Sequence, residues 1–444
     1  MIKNKFPEYV KEYLQKSLNP IWRLETSPEK LYDNIIVVPA IQEKENIKLL
    51  LGSLANCDNK YFNSTLVMFV VNALSNSSNK ILEENLDTLD YLRKFVQKNF
   101  DDDKLLMKLN SLGLNIGVVD ATSHKKTMPT KEGGVGFARK IGMDLALQYF
   151  DYHSSNKKLI ISLDADCTVE PNYLTEIVEY FNKCPSHCAY VKFEHPLPDD
   201  EQLAKAAINY EIFLRYYVLG LKYANSPYAY HSIGSTIICD AESYIKVGGM
   251  SKNKAGEDFY FLEKLAKITT VEEISATKVY PSARSSWRVP FGTGQRIGRF
   301  LSNNKNEYIL YDPQTFFILK EWISEFHSNT IYNADNYLQK AKRINNALHD
   351  FLIQNSFDIT WNKILKNSKS ERQIQNQKKL WFDAFKTLKL IHFLRDTSFP
   401  SINMFDALDI ILNKYGINCF RRANEVIPPI EIQLKYLSKL RELT

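Results

Sequence analysis

The chain has 444 residues, enough for two or three domains, and its hydrophobic content of 44% allows sizeable cores, so a disordered protein is not the default expectation. Its formal net charge of +6 arises from 57 basic and 51 acidic residues, a balance that argues against a nucleic-acid partner. No run approaches the roughly 20 apolar residues of a transmembrane segment. The first residues lack the apolar core of a secretory signal, and six scattered cysteines suit a reducing compartment, so we expect a cytoplasmic protein.

The N-terminal half alternates between apolar strands and amphipathic helices. Residues 1–30 are predicted to form a helical lead-in. Strands are predicted at 34–38, 66–71, 114–119 and 159–163, and helices at 45–54, 81–96, 136–149 and 173–181. This alternation predicts an α/β fold with a mostly parallel sheet covered on both faces.

The pattern changes after residue 198. A long amphipathic helix is predicted at 202–221, a short strand at 235–239 and a helix at 257–268. Helices follow at 315–326, 333–354, 374–395, 404–415 and 430–443, with apolar residues recurring every three or four positions. The predicted domains are an α/β domain over 31–300, with a nucleotide-binding half (31–198) and an acceptor half (199–300), and an α-helical C-terminal region over 301–444.

Polar residues follow the predicted parallel strands. Ligands of such sheets bind beyond the carboxyl ends of the strands. Pro39, Asn72, Asp120 and the pair Asp164/Asp166 are therefore expected along one rim.

Asp164 and Asp166 end a short apolar run, Leu-Ile-Ile-Ser-Leu-Asp-Ala-Asp. In an extended chain alternate side chains share a face, which places these two carboxylates about 7 Å apart. Such hard oxygen ligands suit Mg²⁺ or Mn²⁺, whose remaining ligands are often phosphate and water. The alternative is a surface turn before Pro171.

Five motifs follow one another within residues 33–300. They are Val37-Val-Pro-Ala-Ile-Gln-Glu43, Gly136-Phe-Ala-Arg139, Leu163-Asp-Ala-Asp166, the glycines of Gly234-Ser and Val247-Gly-Gly249, and Gly256-Glu-Asp258. In this order they resemble the motifs of GT-A glycosyltransferases of family 2. The resemblance implies a GT-A fold and a nucleotide site that includes Pro39, Ala40, Glu43, Arg139 and Asp164. It also implies a metal site at Asp164 and Asp166 and an acceptor side at Glu257 and Asp258.

Two helix starts support these roles independently. Arg139 lies in the first turns of a helix that follows a glycine-rich approach, and a helix N-terminus and a guanidinium both favour a diphosphate. Asp258 begins another helix, where a carboxylate could accept a proton from an acceptor hydroxyl, with Glu257 orienting that acceptor. We expect the helix end to keep Asp258 ionised, as a weak base. The alternatives are a generic helix entry for Arg139 and simple capping for Asp258.

The segment from Ser282 to Gly294 is dense in arginine, aromatic residues and glycine. Arg284 and Arg288 are predicted to face the leaving diphosphate, and Trp287 and Phe291 to stack on a sugar ring. A structural turn is the alternative. His195 and His231 are interpreted as structural histidines, although His231 could be a metal or acceptor ligand.

One position departs from the family pattern. Relatives carry an acidic pair after the second strand, where this chain has Asn72, so the choice between uridine and guanosine stays open.

Together these features predict an inverting, metal-dependent glycosyltransferase that uses Mg²⁺ or Mn²⁺. Its partners would be a nucleotide-diphospho-sugar donor and a glycan, lipid-linked or small-molecule acceptor. Two alternatives are a catalytically degenerate nucleotide-sugar-binding scaffold, and a sugar-phosphate nucleotidyltransferase, whose basic glycine-rich signature is missing at Pro39–Glu43. The C-terminal helices could bind the acceptor, pair subunits or contact a membrane surface peripherally.

Overall fold

The chain forms two compact units in a computed structural model that describes residues 6–252, 256–284, 293–302, 306–422 and 425–444. The sheet unit comprises residues 1–196 and 232–295, and the helical unit comprises residues 197–231 and 296–444. Residues 197–231 thus belong with the C-terminal helices. The domain limits drawn at residues 30, 198 and 300 stay a prediction.

The sheet unit is organised around one eight-stranded sheet in the described part of the chain. Its strands are β1 (Asn34–Ala40), β2 (Thr65–Asn72), β3 (Asn115–Ala121), β4 (Leu159–Ser162), β5 (Cys167–Val169), β6 (Cys188–Phe193), β7 (Ile237–Asp240) and β8 (Glu272–Pro281). Their order is β3-β2-β1-β4-β7-β6-β8-β5. Strands β3, β2, β1 and β4 are mutually parallel, β7 runs antiparallel to both β4 and β6, and β8 lies parallel to β6 and antiparallel to β5.

The apolar runs of the sequence become the interior of this sheet. Every residue of β1 and β2 is buried. Strands covered on both faces by helices need continuous apolar sequence, which is why these runs do not alternate. The predicted α/β class with a mostly parallel sheet and a helical C-terminal region is confirmed.

The helices are numbered in chain order. They are α1 (Glu8–Ser17), α2 (Lys44–Leu54), α3 (Asn79–Val96), α4 (Lys104–Ser111), α5 (Val135–Tyr149), α6 (Tyr173–Lys183), α7 (Glu201–Tyr223), α8 (Ala241–Lys246), α9 (Glu257–Ala266), α10 (Thr293–Leu301), α11 (Gln314–Phe326), α12 (Ala334–Ile344), α13 (Asn346–Gln354), α14 (Phe357–Asn367), α15 (Glu371–Trp381), α16 (Ala384–Thr397), α17 (Met404–Asn413) and α18 (Ile430–Leu443). A two-stranded pairing of β9 (Ile309–Leu310) with β10 (Ile402–Asn403) lies in the helical unit.

Helix α5 lies close against the centre of the sheet. A Cβ at Gly142 would lie 2.9 Å from Cγ2 of Val70, on β2, so only glycine allows this approach. The close packing fixes the position of Arg139, one turn earlier on the same helix.

The helical unit has its own aromatic core. Trp322 stacks on Phe326 with ring centroids 4.9 Å apart, and Phe357 stacks on Trp361 at 5.9 Å. All four side chains are fully buried. This cluster explains why the last third of the sequence, with few glycines, folds as packed helices.

The structure corrects several predicted elements. The lead-in is helical only over α1, and residues predicted as single helices at 333–354 and 374–395 each form two. The breaks occur where Asn345 accepts a hydrogen bond from the amide of Ala347 and where Asp383 accepts one from Lys386, because each side chain caps a new helix. Among the described residues, none of the helices has both the length and the apolar character needed to cross a bilayer.

Candidate functional site

The rim formed by the ends of β1 and β4 carries the predicted acidic residues. The two strands pair in parallel, with Val37 opposite Ser162, and the amide of Leu163 donates to the Val37 carbonyl at 3.1 Å. The chain therefore leaves β4 beside the end of β1, which brings Asp164 and Asp166 to the same edge as Glu43.

Arg139 forms the first of two sets of salt bridges across this rim. Its Nη2 donates to Oδ1 of Asp164 at 2.5 Å, and its Nη1 donates to Oε1 of Glu257. The arginine is only 3% exposed and its Nε has no described partner. Burial lowers the pKa of the guanidinium, but the carboxylates of Asp164, Glu257 and Asp258 outweigh this effect and hold the pKa above the ordinary value, so Arg139 is a fixed positive charge.

Arg284 forms the second set of salt bridges. Its Nη2 donates to Oδ2 of Asp166 at 3.1 Å and also to Oε1 of Glu43. Glu43 is buried at the start of α2 and accepts a second hydrogen bond from Asn46. The two arginines thus connect α5, the end of β8, the turn after β1 and the turn after β4.

Glycines place the acidic start of α9 against Arg139. Gly256, the residue before α9, has φ 70° and ψ 14°, a left-handed conformation that favours glycine. Glu257 follows and is buried. A Cβ at Gly234 would lie 2.6 Å from Nη1 of Arg139, so glycine there leaves room for the guanidinium. The sequence had assigned Gly234 to the acceptor side, without this packing role.

Asp258 has an unusual environment. Burial first, and then the carboxylate of Glu257, raise its pKa to about 7, against the lowering effect of Arg139 and of the Phe259 amide. That amide donates to Oδ1 of Asp258 at 2.8 Å. The expectation of a weak, ionised base is therefore wrong, because burial and a neighbouring like charge outweigh the favourable helix end.

Asp166 carries charge that its surroundings compensate only in part. Burial, followed by the carboxylates of Asp164 and Glu43, raises its pKa to about 6, while Arg284 opposes the shift. Five carboxyl groups, those of Glu43, Asp164, Asp166, Glu257 and Asp258, face the two guanidinium groups of this site. With all of them ionised, the cluster has a surplus of negative charge.

The donor atoms fit a hard cation that brings further ligands with it. Within the described ranges, Oδ2 of Asp164 and Oδ1 of Asp166 have no hydrogen-bond or ion-pair partner, since Arg139 and Arg284 engage the other oxygens. Across the same ranges, no three His, Cys, Asp or Glu side chains are arranged to hold a metal by themselves. Mg²⁺ commonly binds through one or two carboxylates and completes its shell with substrate phosphate and water, so the two observations agree.

Asn85 ties the neighbouring strand ends together, a role that sequence reasoning missed. Its Oδ1 accepts from the amide of Gln42, and its Nδ2 donates to the Asn72 carbonyl at 2.9 Å and to Oγ1 of Thr122 at 3.0 Å. Gln42 has a backbone φ of 52°, a strained value for a residue other than glycine or asparagine. An asparagine on the apolar face of the predicted helix 81–96 was the available signal.

The other predicted rim residues have mainly local partners. Asn72 is buried, and its Nδ2 donates to the carbonyls of Ala40 and Val70 at 3.0 and 3.1 Å. Asp120 accepts from the amides of Thr122 and Ser123 and pairs with Lys126. A contact of Asn72 with a base, and of Pro39 and Ala40 with a nucleotide, stay predictions.

The remaining predicted residues either fall outside the described ranges or have other surroundings. Arg288, Trp287 and Phe291 fall outside the described residues. His231 belongs to the helical unit, where burial and then Arg215 lower its pKa well below the ordinary value. His195 is buried in the sheet unit, edge-on to Phe193.

No family model and no curated protein matches this chain. Among solved structures, it is similar to S. aureus TarS 1-349 in complex with UDP-GlcNAc, at 14% identity over 93% of this chain and 90% of that one, with a TM-score of 0.36. GalNAc-T7 with UDP, GalNAc and Mn²⁺ matches at 14% identity over 75% of this chain and 58% of the other, with a TM-score of 0.34. The mannosyltransferase PcManGT from Pyrobaculum calidifontis, in complex with GDP-Man and Mn²⁺, matches at 11% identity over 88% and 94%, with a TM-score of 0.34. At such TM-scores these likenesses assign no family, substrate or metal to this chain.

Proposed function

We propose that the protein is an inverting, metal-dependent glycosyltransferase of the GT-A class that transfers a sugar from a nucleotide-diphospho-sugar to an acceptor hydroxyl. The observation that carries the proposal is the cluster of carboxylates and arginines at the ends of β1 and β4. It combines free carboxylate oxygens, two fixed guanidinium groups and a carboxyl group with a pKa near neutrality. The free carboxylate oxygens and the guanidinium groups suit a diphosphate donor. The carboxyl group with a pKa near neutrality suits an acceptor hydroxyl, which must lose its proton.

Asp164 and Asp166 are proposed to hold Mg²⁺ or Mn²⁺ through their unengaged oxygens. The metal, when bound, neutralises the leaving diphosphate. Arg284 donates to Oδ2 of Asp166, one of the two proposed metal ligands, at 3.1 Å. Its guanidinium can move to a phosphate oxygen while it stays within the cluster, since arginine binds carboxylate and phosphate with the same planar fork.

Asp258 is proposed as the general base. The acceptor oxygen attacks the anomeric carbon, the bond between that carbon and the diphosphate oxygen breaks, and the acceptor proton passes to the Asp258 carboxylate. A base with a pKa of about 7 exists in part as the carboxylate at neutral pH and still has a useful affinity for the proton. Arg139 holds Glu257 next to this group, so Glu257 is proposed to orient the acceptor.

The decisive experiment separates binding from turnover. The full chain is screened by thermal shift with UDP- and GDP-sugars, with and without Mn²⁺, and slow hydrolysis of any stabilising donor is measured. We expect stabilisation that depends on the metal, and turnover that Asp166→Ala abolishes. Asp87→Ala is the matched control, because Asp87 is an exposed carboxylate that pairs with Lys44 at the surface.

Three results contradict the proposal. Undiminished turnover in Asp166→Ala removes the metal assignment. Metal-dependent binding without any turnover favours the scaffold alternative. Release of pyrophosphate from a nucleoside triphosphate and a sugar phosphate favours the nucleotidyltransferase alternative.

A further inference from the structure

A groove of about 500 Å³ lies within the helical unit, between the start of α7, Tyr308 and the start of α18. This volume is in the ordinary range of small-molecule sites. The proposed reaction does not account for it. Its apolar lining includes Tyr308, Ile427, Pro428 and Pro429, and its charged lining includes Lys205 and Glu431.

Gln433, one of the residues that line the groove, carries a buried acceptor without a partner in the described part of the chain. Gln433 is 2% exposed, and its Nε2 is fixed because it donates to the Pro428 carbonyl at 2.8 Å. Its Oε1 has no hydrogen-bond partner among the described residues. Burial raises the pKa of the neighbouring Tyr308 phenol, and the Gln433 side chain partly opposes that shift. A buried amide oxygen without a donor is costly, so a ligand that supplies an N–H or O–H would be stabilised there.

The charged lining also selects for donors. Three glutamates, Glu201, Glu425 and Glu431, face one lysine. Lys205 pairs with Glu201 at 2.6 Å, which leaves two carboxylates as hydrogen-bond acceptors. This surplus disfavours phosphates and carboxylic acids.

The apolar lining complements a ligand with a carbon–hydrogen face. Ile427 is 48% exposed and lines the groove together with the two prolines and Tyr308. A neutral saccharide has hydroxyl donors around its ring and an apolar face, and so matches both parts of the lining. A basic peptide would match the carboxylates and could also donate an N–H to the amide oxygen, so it is the competing ligand class in the test below.

We propose that this groove binds a neutral saccharide. The site belongs to the helical unit and does not depend on the reaction proposed above. A chain that binds glycan here would hold a carbohydrate independently of its nucleotide-sugar donor.

The test is a titration of the full chain with neutral tetrasaccharides of glucose, galactose, mannose or N-acetylglucosamine, followed by saturation-transfer NMR. We expect at least one of them to bind. Gln433→Leu should weaken that binding about tenfold, the effect of one or two neutral hydrogen bonds. Ile427→Asp should weaken it comparably, and because Ile427 is exposed, this variant tests the groove without disturbing the core.

Two conservative variants distinguish the ligand classes. Glu431→Gln keeps an acceptor and should change saccharide affinity less than about twofold, because recognition by a hydroxyl does not need the charge. Glu442→Gln, an exposed position on the same helix outside the groove, should have no effect. A lysine-rich peptide serves as the competing probe.

The proposal is overturned if none of the four tetrasaccharides binds, or if the groove variants leave binding unchanged. It is also overturned if only the lysine-rich peptide binds, weakened by Glu431→Gln and strengthened by Ile427→Asp. The variant Asp166→Ala separates this proposal from the enzymatic one. It should keep saccharide binding in the groove even where metal-dependent nucleotide binding is lost.

Discussion

Removing the guanidinium of Arg139 should destabilise the sheet unit in a way that depends on pH. Arg139 is the described counter-charge of Glu257, whose side chain is 5% exposed, and of Asp164, whose side chain is 30% exposed. Breaking a buried ion pair costs about 3–5 kcal/mol, and most of that cost should come from Glu257, because water screens the more exposed Asp164. Arg139→Gln should therefore lose about 3–5 kcal/mol near pH 8.

The sign of the pH dependence follows from the carboxyl groups. Arg139 lowers the pKa of Asp258, which is nevertheless raised to about 7 in the folded protein. A raised carboxyl pKa means that the folded state binds more protons, so stability falls as pH rises from the unfolded pKa to the folded one. Without the guanidinium this loss should extend to higher pH. The difference in the free energy of unfolding between Arg139→Gln and the wild type should reach its full size near pH 8 and be much smaller near pH 5.

The assay should report the sheet unit alone. Three of the five tryptophans, Trp322, Trp361 and Trp381, lie in the helical unit, so fluorescence would mix the two transitions. Pulsed hydrogen exchange along a urea series, read on peptides of β1 to β4, avoids this. Arg93→Gln is the control, because the exposed bridge of Arg93 to Glu25 should contribute no more than about 1 kcal/mol. Equal losses for both variants at pH 8, or a loss for Arg139→Gln that does not change with pH, would refute the reasoning.

Three further predictions concern single side chains. Asp258→Asn should lower turnover by about 10²–10⁴-fold without weakening donor binding. The wild-type kcat/KM should decrease as the pH is lowered through about 7, because this base is then protonated, and a flat pH profile would count against the assignment. Gly234→Ala should cost about 1–3 kcal/mol in urea unfolding by crowding Arg139, whereas Gly52→Ala, with open space around it in α2, should be neutral or stabilising. Asn85→Leu should cost about 2–4 kcal/mol through its three lost hydrogen bonds and should raise the Kd for the donor; unchanged proteolysis of the turn at Gln42 would show that Asn85 does not hold it.

Local sequence pattern was sufficient for most of the helices and buried strands. Predicted strand 34–38 appears as Asn34–Ala40 and predicted helix 136–149 as Val135–Tyr149. These segments carry a strong signal because burial on both faces, or on one helical face, requires apolar residues at a regular period. Strand β8 was missed, because its burial pattern is irregular, with two of its residues exposed and four half-buried. Helix α14 was also missed; among its residues, only Phe357 and Trp361 are buried.

The candidate site was only partly readable from the sequence. Its acidic residues and Arg139 stood in recognisable motifs, and the rule that ligands bind beyond strand ends placed them on one rim. The sequence did not predict which carboxylate pairs with which arginine. Glu43 and Arg284, for example, are 241 positions apart, and the order of the strands in the sheet brings them together. The high pKa of Asp258 was missed for a related reason. It depends on burial and on Glu257 together, and a sequence does not give the burial of a side chain at a helix start.

The sequence by itself determined the alternation of strands and helices, the helical C-terminal region and the identity of the acidic residues, because each depends on short-range periodicity or composition. The tertiary structure decided which charges neutralise one another, which oxygens of Asp164 and Asp166 remain available, and that Asn85 joins three strand ends. Those features depend on residues far apart in the chain and on the space left by Gly142 and Gly234. Electrostatic energy depends on distance and burial in three dimensions, so these properties arise only when the chain has folded.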